Sequence, residues 1–309
     1  MLRGIYSHLN HFSKLILLIT LVFSFLLFSM LIGILVLVPF YGTDVISMLA
    51  APDYNNMSFV NAMKIMQILN TLGGLLLPSV IFMWLCSSAN ETFGGLTKSY
   101  PLLLVTLSFL LIVIAQPIVG WANELNSYFS LPEGLSFIEN WMKNTEAQGE
   151  QITEAFLSTN STRGLMLNIF MIAILPAFAE EILFRGVLAK LFKEWTQNVH
   201  VAVFLSAFIF AAIHLQFYGF LPRFLLGMAL GYLFFWSGSL WLPIVAHFAN
   251  NFLSVLVEFL FRKGLIHTNA ENFGMDNAAW LTIISVIGVT GILYSIYKLT
   301  SEPKKAGIV

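Results

Sequence analysis

Charge is what this sequence has least of. Only 10% of its 309 residues are charged, against 58% hydrophobic and a mean hydropathy of +0.83. Soluble domains carry roughly 25% charged residues, so a water-soluble fold of this composition could not cover its own surface. The composition predicts an all-α polytopic membrane protein. Cysteine is nearly absent too, Cys86 being the single one. That excludes an intrachain disulfide, a CxxC redox centre and a thiolate zinc site. The 15 basic residues are scattered against 16 acidic ones. With no basic stripe, nucleic acid is excluded as a partner. Internal repeats, low-complexity segments and a His-Glu-x2-His zinc motif are missing as well.

What the chain does have is apolar runs. The first, Leu15–Val38, follows a short head carrying Arg3 and Lys14. It is longer than the ~7–15-residue core of a cleavable signal and ends at Pro39, so it reads as a retained span. Further spans are expected at Ile65–Cys86, Pro101–Trp121, Gly164–Leu188, Val199–His214, Phe217–Trp236, Leu240–Phe261 and Ala278–Tyr297, about eight in all. The stretch Ala122–Arg163 is polar, with Glu124, Glu133, Glu139, Glu146, Glu150 and Glu154 against Lys143 and Arg163. An amphipathic helix is expected within it around Phe137–Leu157, with Phe137, Trp141, Ile152 and Phe156 as apolar contacts. The organisation is therefore a three-span region (1–121), an acidic loop (122–163), a core (164–262) and a last span with a basic tail (263–309).

Basic loops tend to stay cytoplasmic. Arg3, Lys14, Lys98, Lys190, Lys193, Lys298, Lys304 and Lys305 fall on one side of an eight-span path and the acidic loop on the other. Both termini are accordingly expected in the cytoplasm, with Arg262 and Lys263 as exceptions to the pattern.

A charge at a span centre costs roughly 2.5–3.5 kcal/mol on insertion scales, so such groups are paired or line a wet cavity. Three constellations stand out. In Ala179-Glu180-Glu181-Ile182-Leu183-Phe184-Arg185, Glu181 and Arg185 are four apart with the acid first, the better order for an ion pair. Glu180 points elsewhere, rotated by about 100° on the helix, and is left for general-base work. Pro176 cannot donate to the Ile172 carbonyl, so an irregularity is expected just before the pair. The second constellation is Phe210-x3-His214, and the third places His247 and Asn251 on one helix face. Singly, each has a plain structural reading: a packed histidine, an ion-pair clip, an asparagine joining helices. His8, His11, His200 and His267 lie near expected ends or loops and receive no role, while Phe217, Tyr218, Trp236 and Trp241 suit an interfacial aromatic belt.

Together, in this order on three spans, the motifs resemble the signature of the CPBP family of CAAX proteases and bacteriocin-processing intramembrane proteases, over about Gly164 to Arg262. The family includes eukaryotic prenyl-protein endopeptidases and bacterial immunity proteins. The resemblance implies eight spans with a polar cavity among the C-terminal helices, in a bacterial plasma membrane. It implies a catalytic Glu180 polarising water together with His214, a supporting pair Glu181 and Arg185, and His247 and Asn251 on the scissile carbonyl. Hydrolysis of a peptide bond asks for the same set: a base, a proton donor and oxyanion donors. Zinc held by Glu180, His214 and His247 is compatible with these residues but not required by them. The partners implied are a peptide or protein substrate and the bilayer; oligomeric state and lipidation of the substrate stay open. Two other classes stay open as well. One is a non-proteolytic immunity or scaffold protein that keeps the motifs. The other is a proton-coupled transporter, against which stands the lack of a repeat relating the two halves.

Overall fold

The computed structural model describes residues 3–87, 95–96, 100–268 and 279–301, and every regular element among them is helical. Among the described residues, seven helices are long and apolar enough to cross a membrane: α1 (His11–Ala50), α2 (Met57–Cys86), α3 (Leu102–Ser127), α5 (Thr162–Thr196), α7 (Phe217–Ser237), α8 (Trp241–Arg262) and α9 (Ala279–Ser301). Between α3 and α5 lies α4 (Ser136–Leu157), and between α5 and α7 the short apolar α6 (Val199–Ala212). The protein is a multi-pass integral membrane protein. Ala278, the expected start of the last span, lies outside the described residues, as do Lys98, Lys304 and Lys305.

Helix starts follow side-chain chemistry. Asn10, Asn56, Ser161 and Asn198 each accept a hydrogen bond from a backbone N–H of the first turn of α1, α2, α5 and α6. Prolines inside spans leave a different mark. Pro78 and Pro176 each follow a six-residue π-helical stretch, Thr71–Leu76 and Ile169–Ile174. The irregularity expected at Pro176 takes this form, the wider turns absorbing the missing N–H.

The fifth expected span departs most from its sequence reading. At 14 residues α6 is about 21 Å long, short of the ~30 Å hydrocarbon core. The reason is α5, whose 35 residues run about 52 Å. Its last turn and the following link, 193–198, are exposed, with Trp195 against Phe12 of α1, and α6 starts from there. From Glu180 to the end of α5 is about 24 Å, and from Val199 back to His214 about 22 Å. The short helix thus delivers His214 to the level of Glu180.

The two faces of the bundle differ in charge. Lys14 and Lys190 line one groove with Cys86 and Glu194, and Trp236 packs on Tyr297, next to Lys298. On the opposite face α4 meets the end of α8, where Arg262 bonds Glu258 at 2.7 Å and faces Glu154 at 3.5 Å. Of the two exceptions to the basic pattern, Arg262 is therefore paired with acids, and Lys263 lies over the Phe259 ring. Along α4, Phe156 is buried, Ile152 packs beneath it and Trp141 lies on Phe217, whereas Phe137 is exposed.

Helices α6 and α7 pack closely, and glycine lets them do so. A Cβ on Gly227 would stand 2.9 Å from Ala207 Cβ, and one on Gly231 2.9 Å from Val203. This Gly-x3-Gly face lets the backbones close up, as small residues do between membrane helices. Gly231→Leu is expected to lower stability by about 1–3 kcal/mol through overpacking, read from unfolding in detergent micelles. An unchanged midpoint would mean the two helices are not in this contact.

Candidate active site

The site gathers on three helices. On α5, Glu180 and Glu181 end a regular stretch, and π-helical Ile182–Ala189 follows. Glu181 and Arg185 are fully buried and joined at 2.7 Å. His247 of α8 brings Nδ1 to the same Glu181 oxygen at 2.8 Å. That oxygen accepts from the guanidinium and from the imidazole Nδ1, which fixes the imidazole orientation and turns Nε2 away from Glu181. Arg185 also donates to the carbonyl of Gly227 at 3.0 Å and lies 4.8 Å over the Phe210 ring. Phe210 in turn meets the rings of Phe184, His214 and His247 edge-on. One aromatic side chain is the packing surface for the arginine and both histidines.

Glu180 faces the other way, into the space between the two histidines. Its Oε2 lies 4.0 Å from His214 Nε2 and 3.8 Å from His247 Nε2, and has no hydrogen-bond partner among the described residues. The Glu180 and His214 side chains keep 15% and 28% exposure, against 4% for His247, so the site opens on the His214 side. His214 sits in the turn beyond α6, its Nδ1 bonded to the Phe210 carbonyl at 2.6 Å. A carbonyl accepts, so Nδ1 carries a proton, and Nε2 is the nitrogen turned toward Glu180.

Asn251 lies one turn beyond His247. Its amide donates to the Ile172 carbonyl at 3.1 Å, the group that Pro176 leaves without its helical N–H, and its oxygen accepts from Asn250 at 3.2 Å. Glu180, Glu181, Arg185, His214 and His247 thus converge, while Asn251 is anchored to α5 beside them.

Glu180, His214 and His247 supply the donor types of a three-ligand zinc site. Their spacing does not match one. Donors about 2.0–2.1 Å from a tetrahedral zinc stand roughly 3.3 Å apart, closer than the 3.8 and 4.0 Å found here. Among the described residues, no three His, Cys, Asp or Glu side chains are grouped to hold a metal ion.

Sequence reading missed three polar residues around the His214 turn. Arg223 of α7 bonds the Gln216 side chain and lies within reach of the charges of Glu146 and Glu180. An arginine inside an apolar run was the available signal. Asn126 and Glu146 carry no comparable signal, because their contacts lie far along the chain. Phe217 and Tyr218, expected in an aromatic belt, belong to this turn, Phe217 packing on Trp141 and the Tyr218 N–H bonding Glu146.

Breaking a buried ion pair leaves a charge without compensation, which costs about 3–5 kcal/mol. Arg185→Leu is expected to destabilise the protein on that scale, measured by unfolding in detergent. A change below about 1 kcal/mol would contradict the burial of the pair.

Comparison with known proteins agrees with this core. Residues 162–253 match the family model described as type II CAAX prenyl endopeptidase Rce1-like. YpbD of Bacillus subtilis strain 168, described as uncharacterized, is 34% identical over 85 residues, covering 26% of this chain. The chain spans 40% of the length of that curated relative. No solved structure matches it. The matched stretch contains Glu180, Glu181, Arg185, His214, His247 and Asn251, so it is over residues 162–253 that the chain is similar to the type II CAAX prenyl endopeptidase Rce1-like family.

Proposed function

We propose that the protein is an intramembrane endopeptidase in which Glu180 activates the attacking water. The observation that carries this reading is the Glu180 carboxylate, unpartnered at Oε2 and flanked by His214 Nε2 and His247 Nε2 from two other helices. Such a carboxylate has a base's free lone pair and two imidazoles beside it, the equipment of general acid–base catalysis.

In the mechanism that follows, water lies between Glu180 and His214. Glu180 takes its proton as the oxygen adds to the scissile carbonyl, and the tetrahedral oxyanion forms on the side of α8. There His247, its Nδ1 held by Glu181, turns Nε2 to the oxyanion as a hydrogen-bond donor. The second amide proton of Asn251 is the other donor, the first being engaged by Ile172. Glu180 then returns its proton to the leaving nitrogen, the C–N bond breaks, and the carboxylate is regenerated. Glu181 and Arg185 act through His247 by holding its orientation.

The substrate in this reading is a peptide or protein segment that reaches into the bilayer from the exposed side of His214. A prenylated CAAX end is the class named by the matched family. The membrane is taken to be a bacterial plasma membrane, with the lysine-bearing face and both termini in the cytoplasm.

The test uses full-length protein in detergent and a panel of internally quenched peptides, one ending in a farnesylated CAAX sequence and the others unmodified and apolar. Glu180→Ala, His214→Ala and His247→Ala are each expected to lower cleavage by about 10²–10⁴-fold. Cleavage by wild type is expected to survive a chelator, in keeping with the donor spacing. Persistence in Glu180→Ala would remove that residue as base. A wild type that leaves every peptide intact would favour the non-proteolytic reading.

A further inference from the structure

The turn that presents His214 is not self-supporting. After α6 ends at Ala212, Leu215 adopts a left-handed backbone (φ 52°), unusual for a branched side chain. The chain then passes through Gln216 and a 3-10 turn, Phe217–Gly219, before α7 continues. Backbone groups released by such a turn near the hydrocarbon layer need partners within the protein.

Leu215 and Gly219 bond back to the Ala212 and Gln216 carbonyls and Arg223 holds the Gln216 side chain, but the partners of Phe217, Tyr218 and Leu221 come from outside the family-matched stretch. Asn126, near the end of α3, is buried and reads the turn with both ends of its amide. Its Nδ2 donates to the Phe217 carbonyl at 2.8 Å, and its Oδ1 accepts from the Leu221 N–H at 3.0 Å. Glu146, buried on α4, accepts the Tyr218 N–H at 2.9 Å. Trp141, also of α4, lies on the Phe217 ring at 5.3 Å. Three hydrogen bonds from two elements therefore clamp three residues within a seven-residue reach of His214, whose own ring is hydrogen-bonded to the Phe210 carbonyl.

The geometry points to Asn126 and Glu146 as positioning residues for His214. They touch no reacting atom; they set where the imidazole stands relative to Glu180. The inference rests on the proteolytic reading and extends the site to α3 and α4. A displacement of about 1 Å in a catalytic group can cost about a hundredfold in rate, and a released turn has that freedom. Glu146 acts here as a hydrogen-bond acceptor. A glutamine, which keeps a side-chain oxygen, is therefore expected to replace it.

The experiment uses the full chain in lipid nanodiscs, with the farnesylated quenched peptide or whichever peptide of the panel wild type cuts. Asn126→Ala and Glu146→Ala are expected to lower kcat by about 10- to 100-fold while KM stays within about twofold, and Glu146→Gln to stay near wild type. Hydrogen–deuterium exchange read in parallel is expected to quicken over 216–221 in the two alanine variants, with α2 unchanged and Glu146→Gln protected. Unchanged kcat in the alanine variants overturns the positioning role. So does a Glu146→Gln variant as impaired as Glu146→Ala, or exchange that quickens throughout the bundle, which would mark a general folding defect. Wild type that cleaves no peptide overturns the proteolytic reading itself, and the positioning role with it. Wild type that cleaves, beside alanine variants that cleave equally well, overturns the positioning role alone.

Discussion

A carboxylate and a guanidinium buried together in a membrane protein constrain everything around them. Neither Glu181 nor Arg185 has water to fall back on, so each survives only while the other is in place. The pair also has to be satisfied beyond itself. His247 takes one position on Glu181, and the Gly227 carbonyl takes one on Arg185, which ties α8 and α7 to α5. Gly227 serves twice: its bare face lets α7 close on Ala207, and its carbonyl meets the guanidinium. Breaking the α6–α7 contact and breaking the ion pair are therefore not independent events, and effects at these positions should couple.

The opposite treatment of two adjacent glutamates follows from this. Glu181 spends its charge on structure, and because it does so, His247 is held with Nε2 turned toward Glu180. Glu180, one residue earlier and rotated around the helix, is left with a free oxygen between two imidazoles. Pro176 contributes from four residues upstream. Its missing N–H releases the Ile172 carbonyl, Asn251 takes it up, and α8 gains a second attachment to α5 at the depth of the site. A helix defect here works as a docking point, which is how breaks in membrane helices are tolerated when a neighbour resatisfies the backbone.

Much of this was legible in the residues. Glu181 and Arg185 four apart, Phe210 four before His214, and His247 four before Asn251 are local spacings, and local spacings translate directly into shared helix faces. The polytopic fold was legible from hydropathy for the same reason. What could not be read was anything that depends on two distant helices meeting. That His247 bonds Glu181 rather than only flanking Glu180 is a contact across 66 residues. The expected span Val199–His214 forms a helix over Val199–Ala212, but that it delivers His214 to the level of Glu180 depends on where α5 ends. Arg223 was readable in principle, since an arginine inside an apolar run demands a partner, but its neighbours Gln216, Glu146 and Glu180 come from three different segments.

The acidic stretch before α5 is where sequence pattern says least and geometry most. Its amphipathic helix could have been no more than a polar cap on the bundle. Instead Glu146 and Trp141 reach the turn behind His214, Glu154 meets Arg262 at the end of α8, and Asn126 at the end of α3 holds the turn from beneath. The helices that carry Glu180 and His247 are fixed to each other by buried charge. The element that carries His214 is short and ends in a left-handed residue. A site built from two rigid parts and one soft part needs its support at the soft part, and the contacts of α3 and α4 fall there.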